Sequence, residues 1–139
     1  MSGTFALQLF DNRRSERIEG VGSFVGEDAS GSFGILPGHA RFMTVLVFGL
    51  ARFRRGEGAD WEYLAMPGAI LYFAGEMLSL ASRHYLHDTD YERISQRLGD
   101  ELLAEEEELH EIRESLQRME EAMFKRVWEL GQHGIKIHE

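Results

Sequence analysis

The chain has 139 residues, with 24 acidic and 15 basic side chains and a formal net charge of −9. Its 43% apolar and 28% charged residues are ordinary globular proportions and exclude a disordered tail. A sequence pI near 5.1 argues against a nucleic-acid binder, whose footprint is basic, and the lack of cysteine removes disulfides, thiolate metal sites and cysteine catalysis. No apolar run approaches the roughly 18 residues of a membrane span, and residues 1–5 carry no basic, secretory-type start. A soluble cytoplasmic protein is the expectation.

In chain order, the first 86 residues read as strands. They carry nine acids and eight bases, hold 12 of the 15 glycines, and include both prolines, Pro37 and Pro67. Glycine and proline at turn spacing between short apolar runs mark many short strands. Alternation agrees at Phe5, Leu7 and Leu9, at Leu46, Phe48 and Leu50, at Trp61, Tyr63 and Ala65, and at Leu78, Leu80 and Ser82. The two-sided apolar run 44–51 predicts a strand buried between two layers, so an antiparallel β-sandwich or flattened barrel is expected.

Past His87 the period changes and charge accumulates: residues 87–139 hold fifteen acids and seven bases. Asp88, Thr89 and Asp90 offer helix N-caps. Ile94, Leu98 and Leu102 form a short apolar stripe. Leu109, Ile112, Leu116, Met119, Met123, Val127 and Leu130 form a longer seam in steps of three and four, with Gly131 as a stop. The acidic run Glu105–Glu108 separates the two stripes, which predicts an antiparallel helical hairpin turning there; one long or bent helix is the alternative. The expected division is therefore a β-sandwich domain over 1–87 and an acidic helical domain over 88–139.

Chemistry-bearing clusters are sparse. His84 and His87 beside Asp88 and Asp90 lack the convergent spacing of a zinc site. The stretch 30–34 is glycine-rich but has no Lys-Ser/Thr ending to cradle a phosphate. His39 is placed by the Pro37-Gly38 turn, with no base or nucleophile near it in sequence. No catalytic residue, metal site or cofactor is expected, and on spacing alone the chain reads as a binding or structural module with a helical arm.

The segment 31–40, with Gly31, Gly34, Ile35, Pro37, Gly38, His39 and Ala40, resembles a Gly-x-x-Gly-Ile-x-Pro-Gly-His-Ala signature of the epsilon subunit of F-type ATP synthases. Tyr63–Ala65, Pro67–Ala69 and the run 77–81 follow in the family's order. Arg41, the aromatic run 48–53 and the run 91–95 are similar to a divergent branch, the N-ATPases, often linked to sodium. The resemblance implies a non-catalytic rotor part on the cytoplasmic face of the membrane. Its sandwich would dock on the gamma subunit and the ring of c subunits, coupling ion translocation to ATP synthesis. Its helices would reach the catalytic alpha and beta subunits and regulate hydrolysis. It also implies an interface at the loop 26–32 with Ser32, at His39 and at Arg41, around the motif turn of Gly34, Pro37 and Gly38.

Two departures qualify those implications. Some members bind ATP through an Ile-Asp-x-x-Arg-Ala motif; the stretch 89–94 keeps only Asp90 and Arg93, which also form a routine i, i+3 helical ion pair. The acidic C-terminal part has Lys125, Arg126 and Lys136 as its only late bases, so weak electrostatic inhibition is expected. The reading from another class is a coiled-coil adaptor with a generic sandwich domain.

Overall fold

The computed structural model describes residues 3–56 and 58–138, with side chains described to Gln132. The strands are β1 (Phe5–Phe10), β2 (Ser15–Val21), β3 (Ser23–Asp28), β4 (Gly31–Ile35), β5 (Phe42–Leu46), β6 (Gly49–Arg54), β7 (Trp61–Met66), β8 (Ala69–Ala74), β9 (Met77–Ala81) and β10 (Leu86–Asp88). They form one curled sheet in the order β10-β7-β6-β3-β5-β8-β9-β1-β2, with β4 paired on β3. The purely antiparallel arrangement is corrected at one place, where β1 runs parallel to β9 from Ala6↔Met77 to Phe10↔Ala81. A parallel neighbour needs a long crossover, and the seven intervening strands supply it.

Alternation builds the core as expected at β1 and β9: Phe5, Leu7, Leu9, Leu78 and Leu80 are all buried. They meet Phe24, Ile35, Phe53, Leu64, Leu71 and Phe73 in one cluster. Phe5 and Phe73 pack edge to face at 5.5 Å, the arrangement that ring quadrupoles favour. Ser82 lies just past β9, where its hydroxyl donates to the Gly68 carbonyl at 2.6 Å. The run 44–51 is not one buried strand. It breaks at Val47 and Phe48 into β5 and β6, and its outward residues Val45 and Val47 stay exposed, as does Met43 just before it.

Helix α1 (Tyr91–Arg97) starts where Asp90 accepts the Arg93 backbone N–H with its side chain, satisfying one of the donors that every helix start leaves open. Its stripe is as expected: Ile94 and Leu102 are buried against Ala65 and Leu86, with Leu98, Leu50, Phe48 and Tyr63 packed around them. Between α1 and α2 (Ala104–His138) runs a π-helical turn, Leu98–Leu103. The hairpin is therefore corrected to a single long helix. The glutamates after Ala104 are good helix formers and favour its first turn, where the helix dipole attracts acids. Gly131 does not stop the helix either, because one glycine costs only about 1 kcal/mol against a continuing hydrogen-bond ladder. The chain divides into two compact units, Met1–Leu103 and Ala104–Glu139. The composition break at residue 87 marks where strands give way to helix, whereas compaction continues through the helix that covers Ala65.

Candidate docking surface

The turn carrying the sequence motif is well specified. His39 donates its backbone N–H to the Leu36 carbonyl at 3.1 Å, Pro37 holds the second position, and Gly38 has φ +83°. That is a type II turn, whose third residue must take positive φ. Gly34, in β4, is exposed opposite Val25. The Gly38 N–H donates to the Glu76 carboxylate at 2.8 Å, and Ala6 donates to the Glu76 carbonyl at 3.1 Å. Glu76 itself sits at φ +57° beside Gly75, also at +57°, in the two-residue hairpin joining β8 to β9. Type I′ hairpin turns require positive φ at both positions. Glu76 thus ties three segments together at this end of the sheet. Sequence reasoning missed it, because its role depends on a partner 38 positions away.

His39 is exposed, with its ring edge-on to Phe42 at 5.6 Å and Phe73 at 5.8 Å, and its Nδ1–H donates to the Ala40 carbonyl at 2.7 Å. Arg41 is exposed two residues on. Ser32 does not join them. The stretch 26–32 is a β3–β4 hairpin, not a loop, and Ser32 sits near its tip opposite Glu27. Three residue steps along β4, about 10 Å of extended chain, separate it from Ile35, where β4 leads into the motif turn. Ser32 instead edges a shallow cleft with Val25, Glu27, Arg52, Tyr63 and Tyr91.

A second surface was not foreseen. On the outer face of the sheet Val45 pairs with Ile70, Ile70 with Ala81, and Ala81 with Phe10, so four strands line up one apolar band. Val45 is 64% exposed, Ile70 56% and Phe10 38%, and Met43 beside them is 66% exposed. Contiguous exposed apolar surface of this kind marks an interaction site. Its signal in the sequence is the two-sided apolar run 44–51, which fits an exposed docking face as well as burial between two layers.

The junction residues are engaged in local pairs. Arg93 grips Asp88 through Nε and Nη2, both at 2.6 Å, and only skirts Asp90 at 4.0 Å. The expected Asp90–Arg93 ion pair is present but secondary: Asp90 chiefly caps the backbone while Asp88 takes the guanidinium. That guanidinium, followed by the Asp90 backbone N–H, holds the Asp88 carboxyl well below the usual carboxylate range. His87 lies in β10, with Nε2 2.9 Å from Glu62, and Glu62 also takes both guanidinium bonds of Arg55. Burial pushes the Glu62 carboxyl up, but its bonds to Arg55 and His87 outweigh this and leave it below its ordinary value. Burial and then the Glu16 carboxylate push the Tyr85 phenol up to about 12.

Residues 4–86 match the family model described as ATP synthase, Delta/Epsilon chain, beta-sandwich domain. The chain is 42% identical over 77 residues to an ATP synthase epsilon chain 2 of Cereibacter sphaeroides, covering 55% of this chain and 52% of that one. It is 37% identical over 87 residues to an ATP synthase epsilon chain 2 of Paraburkholderia xenovorans, covering 63% and 55%. The matches thus span about half the length of these curated relatives. Two solved structures share the fold. One is from the central stalk and c-ring of the Tetrahymena thermophila mitochondrial ATP synthase, with TM-score 0.51, 11% identity, and 61% of this chain and 67% of that chain covered. The other is from the OSCP/F1/c-ring of the Euglena gracilis mitochondrial ATP synthase, with TM-score 0.55, 15% identity, and 72% and 64% covered.

Proposed function

The chain belongs to the ATP synthase delta/epsilon family, and from that premise we propose that it is a non-catalytic rotor subunit of an F-type ATP synthase of the N-ATPase branch. The observation that carries this reading is the apolar band of Met43, Val45, Ile70 and Phe10 on the outer face of the sheet. A rotor part must hold its neighbour rigidly, and a sheet face with side chains fixed by cross-strand pairing can do so without ordering a loop. We assign this band to the gamma subunit. The motif turn with His39 and Arg41 faces the ring of c subunits, and Ser32 makes a separate rotor contact from the far end of β4. Family membership gives no support to the adaptor reading.

In this reading the β-domain transmits torque while the residues after Leu103 regulate hydrolysis, through the alpha and beta subunits. The assembly is peripheral, on the cytoplasmic side of the membrane; among the described residues no helix is long and apolar enough to cross it. The subunit needs no nucleotide of its own. Arg93, which would have to meet a phosphate, already has a bidentate carboxylate partner, so a phosphate would have to displace Asp88.

The test is co-expression with gamma and the c-ring. Ile70→Glu should abolish co-purification while leaving the melting temperature of the isolated subunit unchanged, because the side chain is exposed. A chain ending at Leu103 should assemble normally and alter only regulation of hydrolysis. An Ile70→Glu subunit that still assembles overturns the band assignment. A subunit that never associates with gamma overturns the rotor reading.

A further inference from the structure

Helix α2 presents its seam outward: Ile112 is 46% exposed, Leu116 58%, Met119 60%, Met123 65%, Val127 65% and Leu130 62%. The spacing of that seam has a property beyond amphipathicity. Reversed end for end about a point between Met119 and Glu120, Leu109 falls opposite Leu130, Ile112 opposite Val127, and Leu116 opposite Met123. Met119 lies beside the centre. A helix with this pattern matches itself, apolar layer to apolar layer, when two copies run antiparallel around a twofold axis. The seam's 22 residues, 109 to 130, would give about 32 Å of contact at 1.5 Å of rise per residue.

Charge selects the same direction. Residues 104–112 contain Glu105, Glu106, Glu107, Glu108 and Glu111 and no lysine or arginine, whereas residues 127–135, which the reversal sets opposite them, carry Glu129 as their one charged side chain. Parallel pairing would set five carboxylates beside five. Antiparallel pairing sets them beside a segment with that single carboxylate, which relieves like-charge crowding along the contact. It also sets Lys125 opposite Glu114 and Arg118 opposite Glu121, against one like-charge contact of Arg113 with Arg126. The thioethers of Met119 and Met123 suit the central layers, because unbranched side chains adjust to a partner's surface.

We infer that the isolated subunit self-associates through α2, as an antiparallel pair of two copies centred on Met119. The pair covers the seam while the subunit is outside the rotor, so self-association competes with any other use of this helix. The inference does not depend on the gamma assignment, since the apolar band lies on the other compact unit.

The chain's lack of cysteine makes the geometry directly testable. In sedimentation velocity from micromolar to several hundred micromolar, the whole chain should pass from monomer to dimer. Leu116→Asp should raise the dimer dissociation constant at least tenfold. Mixed Leu116→Cys and Met123→Cys chains should form a disulfide-linked heterodimer on mild oxidation, in greater yield than either variant alone. Three outcomes overturn the inference: a monomer at every concentration, stronger cross-linking of Leu116→Cys to itself than to Met123→Cys, or a dimer abolished by Ile70→Glu but indifferent to Leu116→Asp. A thermal melt of each variant separates loss of pairing from loss of fold, because the substituted positions lie outside the core of the β-unit.

Discussion

The stripe of Ile94, Leu98 and Leu102 and the seam from Leu109 to Leu130 are written in the same code of three- and four-residue steps, yet they meet opposite fates. Ile94 and Leu102 are fully buried against Ala65 and Leu86, whereas the seam of α2 is exposed over most of its length. Periodicity specifies that a helix has an apolar face and says nothing about what covers it. Burial of Ile94 is decided by β7 and β10, which bring Ala65 and Leu86 side by side. A stripe already matched within its own chain is fixed structure, and an unmatched one is available to a partner.

Substitutions at matched positions should show the difference most clearly. Ile94→Ala removes a buried side chain and should cost about 2–5 kcal/mol. Leu116→Ala should change the stability of a dilute sample by no more than about 0.5 kcal/mol. Urea titrations of the two variants, read by tryptophan fluorescence, measure both. Equal losses would erase the distinction between the two stripes.

Backbone strain at the motif turn comes next. Gly38→Val forces a β-branched residue to φ +83°, although open space surrounds the added carbon. The expected loss is about 1–3 kcal/mol from conformation alone. An unchanged melting temperature would mean that the turn relaxes. Glu76→Ala should have a smaller effect, about 0.5–1.5 kcal/mol, because it removes one hydrogen-bond acceptor from the Gly38 N–H.

The ionic pairs at the junction add a pH signature confined to the β-unit. Glu62 is lowered in the folded chain, so its contribution is complete above the unfolded value, about 4.3. That contribution is lost as pH falls through that value towards the folded one. Asp88, lowered for the same kind of reason, acts in the same sense. Chemical unfolding at pH 6 and pH 3 should show the whole chain losing more stability on acidification than Glu62→Gln does. Identical pH dependence would remove Glu62 from the account.

The smallest expected effect is none. Millimolar ATP should leave the melting temperature unchanged, where a ligand at a hundred times its dissociation constant would add about 2.7 kcal/mol. A saturable rise abolished by Arg93→Ala would show that a phosphate displaces Asp88.

Much of the architecture was legible in the residues. Alternation at Phe5–Leu9 and Leu78–Leu80, the turn at Pro37-Gly38, and the change of period after His87 are local properties, and local sterics fix them. The motif around His39 was legible for the same reason: a type II turn needs glycine at one position, and here proline precedes it. What the residues could not reveal were facts about distant pairs. The parallel alignment of β1 with β9, the grip of Glu76 on Gly38, and the apolar band from Val45 to Phe10 each join segments far apart in the chain. The helical hairpin failed likewise, because an acidic run is as compatible with continuing a helix as with turning it. Local sequence determined which elements form and which of their faces are apolar. The tertiary structure alone decided which faces are covered, because burial is a property of pairs of segments and no single segment encodes its neighbour.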